Sequence, residues 1–204
     1  MQTNKLICRL GAIGSLAIVS FTSTIVSADY PNVESGPVFD ERGRLLQPSN
    51  FREGVFIGAP LTPHALNDGK AGFPEFHNVY VDRAAYRHFQ RTGEWPEGTV
   101  LVKELQLVKK GTFDDGSRLE ASGRGYFPDE PNGLDVSVKD SRRFAATDGW
   151  GFFNFGHHAP PYASAAEVAP AEACAACHQA NAHDDMVFSD FYRQLTPLPT
   201  PAMP

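Results

Sequence analysis

Cys174-Ala175-Ala176-Cys177-His178 is the stretch that the rest of this 204-residue chain has to be built around. The spacing C-x-x-C-H puts two thiols at i and i+3, on one side of a helical turn, with a histidine directly after them. Such thiols reach the two vinyl groups of one porphyrin, and the histidine comes under its iron as an axial ligand. A bare C-x-x-C also suits a redox dithiol or half of a zinc site. The only other cysteine is Cys8, so no second pair completes a zinc site. The adjacent histidine and an export signal both favour one covalently attached haem c. Cys174 and Cys177 then carry the thioethers, and His178 is the proximal iron ligand.

The export signal is read from residues 1–28. Lys5 and Arg9 form a charged start, Leu10 to Ile25 holds the apolar run, and Val26-Ser27-Ala28 resembles a cleavage site. The run is short and broken by Gly, Ser and Thr, which favours cleavage near Ala28 over a membrane anchor. Cys8 leaves with this segment. Removing it takes away two basic residues and no acidic one, so the net charge moves from −6 to −8. An acidic domain argues against nucleic acid as a partner. Haem attachment after export places the chain in a bacterial periplasm. The remaining chain reads as one haem domain over 29–195 and a Pro-rich tail over 196–204.

Along the mature chain, 29–50 reads as an irregular arm and 51–59 as a strand. Phe76–Val81 is a strand, and Asp82 caps a helix over about 83–91 that ends at Thr92-Gly93. Thr99–Val108, a short stretch within 122–127, Leu134–Lys139 and Trp150–Phe155 are further strands. After the haem motif, Asp184 or Asp185 caps a last helix with Phe188, Phe191, Tyr192 and Leu195 on one face. Five or more strands with few short helices predict a mainly antiparallel β, or α+β, fold. That pattern excludes a four-helix-bundle cytochrome.

The sixth iron position separates an electron carrier from an enzyme or a gas binder. His183 is too close to His178 to cross the ring, Met186 reads as core or surface, and Met203 lies in the tail. His157 and His158 read as loop residues that could reach the haem edge. His77 is the better distal candidate, because FHNVYV puts it on the apolar face with Val79 and Val81. In TVLVKELQLV, Lys103 shares a face with Leu101, Leu105 and Leu107. A buried, unpaired lysine tends to lose its proton and act as an amine nucleophile; the alternatives are a snorkel to the sheet edge or a carboxylate partner.

Four segments together resemble the cytochrome P460 family: LNDGKAGFPEFHNVYVD, RTGEWPEGTVLVKEL, GLDVSVKDSRRFA and EACAACHQANAHDDMVFSDFY. The resemblance covers most of the mature chain and implies a β-rich homodimer. In that family, the lysine of a V-K-E-L segment is cross-linked to a meso carbon of the haem, and the matching residue is Lys103. The resemblance further implies oxidation of hydroxylamine at a five-coordinate iron, to nitrous oxide or to NO and nitrite. Electrons would pass to a soluble acceptor such as another c-type cytochrome. Two positions depart from the pattern. His77 stands where the hydroxylamine oxidiser has an arginine-type residue. Gly151 stands where some members place an acidic group near the pocket. The sequence itself locates no distal carboxylate. A sister group, the β-sheet cytochromes c prime, shares the fold without the cross-link and binds NO and CO under phenylalanines; Phe76, Phe152, Phe153 and Phe155 leave that alternative open.

Overall fold

The computed structural model describes residues 36–196. The segment expected to be a signal peptide, with Cys8, and the tail from 197 onward, with Met203, lie outside the described residues. The elements, in order, are β1 (Leu45–Leu46), β2 (Val55–Gly58), β3 (Phe76–Val81), α1 (Arg83–Thr92) and β4 (Val100–Val108). They continue as β5 (Arg118–Glu120), β6 (Gly123–Gly125), β7 (Pro128–Lys139), β8 (Trp150–Asn154), β9 (Ala165–Ala166) and α2 (Ala175–Asn181). The architecture is mainly antiparallel β with two short helices. The central sheet runs β2-β3-β4-β7-β8, while β1 pairs with β9 and β5 with β6.

This sheet is covered on both faces, which explains why Val100-Leu101-Val102 is apolar without a break. One face carries Val79, Val81, Leu101, Trp150 and Phe152, and is covered by α1, Trp95 and the C-terminal segment with Ala175, Met186, Val187, Tyr192 and Leu195. The opposite face carries Val102, Leu134, Val136, Val138, Phe153 and Phe155, packed on Leu45, Phe144 and Ala166. Glu104 lies on this second side, where it pairs with Arg52. The Arg52 guanidinium also donates through Nε at 3.3 Å.

Local chemistry sets the helix ends. Ala85 N–H donates to the Asp82 carboxylate at 2.7 Å, and Gly93 closes α1 in the left-handed region. Phe89 then stacks on Trp95 at 4.2 Å between centroids.

Several boundaries differ from the sequence reading, each for a physical reason. The expected arm contributes β1, because Leu45 is buried against the second face. Residues 51–53 form a 3-10 turn ahead of β2. Within 113–127 there are two short strands, β5 and β6, in place of one. Strand β7 extends back to Pro128, tolerating its prolines through two register irregularities against β4. Beyond those irregularities Leu107 is exposed, so it does not share a buried face with Lys103.

The last predicted helix does not form. Asp184 and Val187 instead close a tight antiparallel turn, followed by 3-10 turns at Ser189–Phe191 and Arg193–Leu195. So short a segment gains few α-helical hydrogen bonds for the residues it would fix. Tyr192 and Leu195 are buried, but Phe191 is 57% exposed and stacks on Phe188.

Burial pushes the Tyr192 phenol up to about 12, with Asp190 adding to it. The folded chain therefore keeps a proton that the unfolded chain releases near pH 10. Stability is expected to fall as pH rises from about 10 to 12, by about 3 kcal/mol in all. Denaturant titrations across that range should show Tyr192→Phe abolishing most of this alkaline loss.

Candidate functional site

Register brings the sequence-selected residues to one face. Val79 lies opposite Lys103, Lys103 opposite Asp135, and Asp135 opposite Asn154. Directly opposed residues of antiparallel strands point the same way, so these four side chains form a row across the sheet. The neighbouring row is His77, Leu105 and Gly133. Both rows belong to the face covered by α2 and the segment after it.

Lys103 is not an isolated buried ammonium. Its Nζ lies 3.0 Å from Asp135 Oδ2, with each side chain about a quarter exposed (27% and 24%). Of the alternatives left open by periodicity, a carboxylate partner is the one realised. Asn154 Nδ2 donates to the other Asp135 oxygen at 2.6 Å. The ammonium also sits 4.3 Å from the centroid of the Phe73 ring. That ring meets His77 edge-on at 5.8 Å and His157 at 5.5 Å. Phe73 therefore gathers Lys103, His77 and His157 into one group.

Burial holds the His77 imidazole below its ordinary range, and the Lys103 charge pushes the same way. Its Nε2 donates to the Phe73 carbonyl at 3.2 Å. Glu75, 5% exposed, lies close enough for its charge to act on His77. Its Oε1 accepts from Asn132 Nδ2, while Oε2 has no hydrogen-bond partner among the described residues.

Cys174 and Cys177 lie at the start of α2, Cys174 half-buried and Cys177 exposed. Burial pushes the Cys174 thiol up, Asp135 adds to this and Lys103 offsets part of it. A redox dithiol needs the opposite shift. Among the described residues, no group of three or more His, Cys, Asp or Glu side chains could hold a metal ion.

The donor set does fit haem. His178 Nδ1 lies 2.7 Å from the Met186 carbonyl. A carbonyl only accepts, so Nδ1 carries the proton and Nε2 keeps its lone pair for a metal. Phe152 and Phe188 hold the ring at 4.5 and 4.9 Å between centroids. Burial lowers the His178 pKa, against the pull of the Met186 carbonyl, and so favours the neutral ligand form. The charges of Lys103 and Asp135 are felt at both His178 and Cys174.

Four of the five residues singled out from the sequence, His77, Lys103, Cys174 and His178, thus share one side of the sheet, with Cys177 one helical turn from Cys174. Three others were missed. Asp135 looks like the polar half of an alternating strand until it is paired with Lys103. Phe73 lies in a loop without periodicity. Glu75 sits before the strand, although its spacing of two from His77 predicts the same face. Of Phe76, Phe152, Phe153 and Phe155, only Phe152 meets His178; Phe153 and Phe155 belong to the other core. His183 is exposed and bonded to Asp184.

Gly151 does not face the haem side. A Cβ there would lie 2.5–2.7 Å from the Phe144 ring, within the second core.

No helix among the described residues is long and apolar enough to cross a membrane. A comparison with curated proteins finds no match. The family described as Cytochrome P460 matches residues 48–189, from just before β2 to the segment beyond α2. That span contains the whole central sheet, both cysteines and His178. The chain therefore belongs to the cytochrome P460 family, and its cofactor is covalently bound haem c with its iron.

Proposed function

We propose that the protein is a periplasmic mono-haem enzyme that oxidises hydroxylamine to nitrous oxide or to NO and nitrite. Cys174 and Cys177 hold the haem, His178 is the proximal ligand, and Lys103 is cross-linked to the macrocycle. The observation that carries this reading is Lys103 itself. Its amine stands on the sheet face that bears the haem motif, and its charge reaches His178 and Cys174.

Bound haem would supply the redox capacity and the iron that takes the substrate nitrogen. The chain's residues supply the rest. Hydroxylamine oxidation releases protons together with electrons, so a nearby acceptor is needed. Asp135 takes that role, oriented by Asn154 and paired with Lys103. Phe73 sets its ring over the Lys103 ammonium. The electrons leave to a soluble acceptor such as another c-type cytochrome, and the protein works as a homodimer.

The test is anaerobic hydroxylamine turnover by the purified holoprotein with an oxidised dye as acceptor. Asp135→Asn should cut turnover by about 100-fold or more while the haem stays loaded. Unchanged turnover would remove Asp135 from the mechanism. A second reading, a non-catalytic NO and CO binder, is favoured by the Phe73 ring beside Lys103 and His77. It requires no turnover at all, with tight NO binding.

A further inference from the structure

The turn after α2 has an unusual backbone. Val187 N–H donates to the Asp184 carbonyl at 2.8 Å, and the two residues between them, Asp185 and Met186, have φ of 44° and 62°. Two successive positive φ values are the signature of a type I′ turn, where Asn-Gly is the favoured pair. Methionine has no side chain suited to that region, so the surroundings must enforce the turn. Asp185 shows how. Trp150 Nε1–H donates to its Oδ1 at 3.0 Å, and Lys139 pairs with its Oδ2. Trp150 and Lys139 are opposed residues of β8 and β7, and Trp150 is fully buried. The turn is thus tied through one carboxylate to the rigid sheet. Its next residue, Met186, has a buried side chain and a carbonyl that accepts a hydrogen bond from His178 Nδ1–H.

We propose that Asp185 is a positioning residue that locks the Met186 carbonyl onto His178 and so sets the donor strength of the imidazole. The proposal rests on reading His178 as the iron ligand. A carbonyl held against Nδ1–H gives the ring imidazolate character and strengthens Nε2 as a donor. A stronger donor favours ferric iron and lowers the reduction potential, one of the levers a protein has over haem. Sheet, carboxylate, carbonyl and imidazole then form one continuous chain of contacts.

The experiment compares holoprotein of wild type, Asp185→Ala, Asp185→Asn and Trp150→Phe. Two quantities are read: the Fe–His stretching band of the reduced protein by resonance Raman, and the midpoint potential. In Asp185→Ala the band should move to lower frequency and the potential should rise, at unchanged haem content. Asp185→Asn keeps an acceptor for the indole and suits a left-handed backbone, so it should recover most of the shift. If Asp185→Ala does not accumulate as holoprotein, Trp150→Phe decides, with a smaller shift in the same direction expected. A band and potential matching wild type in the decisive variant would overturn the proposal. His178→Gly separates the underlying reading: the Fe–His band should vanish and return with added imidazole. A band persisting in His178→Gly would overturn the ligand assignment, and this inference with it.

Discussion

Lys103→Arg is expected to give a holoprotein with haem still held by Cys174 and Cys177, no bond between residue 103 and the macrocycle, and no hydroxylamine oxidation. Arginine keeps a positive charge opposite Asp135, so the ion pair survives while the nucleophilic amine is gone. Lys103→Ala removes both, and strands a partly buried carboxylate at a cost of about 1 kcal/mol or more. Comparing the two separates the cross-link from the charge. Intact mass after denaturation and a tryptic map around position 103 read the bond directly. In wild type, the Lys103 peptide should appear only joined to the haem peptide. Turnover persisting at the wild-type rate in Lys103→Arg would sink the cross-linked enzyme reading. A free Lys103 peptide in wild type would turn attention to gas binding.

Gly151→Glu is expected to yield no folded protein. The carboxylate would enter the second core, against the buried Phe144 ring and next to Phe153. Added bulk alone costs about 1–3 kcal/mol in a packed core, which is the loss expected for Gly151→Ala in denaturant titrations. Burying an unpaired carboxylate adds several more, against a total stability of about 5–15 kcal/mol. Soluble yield and haem content check the glutamate variant. A folded Gly151→Glu with raised turnover would place position 151 on the haem side and contradict the strand parity of β8. On the side that bears the haem motif, the carboxylate paired with Lys103 comes from β7, at Asp135.

How legible the site was depends on how far apart its parts lie in sequence. The haem motif is local, so spacing alone identifies it. Lys103 and His77 are each odd within their own strand, and alternation was enough to mark them. Asp135 is odd only in relation to Lys103. LDVSVK alternates as a solvent-facing strand would, and only the β4–β7 register turns its aspartate into a partner. The same limit hid the second core. A five-stranded sheet covered on both faces needs a second layer, and that layer came from Leu45, in the expected arm, and from Phe144 and Ala166, in segments where no element was expected. The last helix failed for a different reason. Phe188, Phe191, Tyr192 and Leu195 keep helical spacing, but two short 3-10 turns with Phe191 facing outward satisfy most of the same burial. Periodicity reports which residues want cover without saying what backbone delivers them.

The doubly covered sheet has a consequence for how the molecule can change. Along β4, β7 and β8, neighbouring residues answer to different masters. Leu101, Ser137 and Phe152 stand in one transverse row beside Lys103 and Asp135, while Val102, Val136 and Phe153 stand in the row behind. A mutational library restricted to the first set changes the side that bears the haem motif, including the core that Leu101 and Phe152 belong to, and leaves the second core untouched. One restricted to the second can raise robustness without altering what the reacting side presents. Two traits that usually trade against each other are thus interleaved along the same three strands, yet separately addressable.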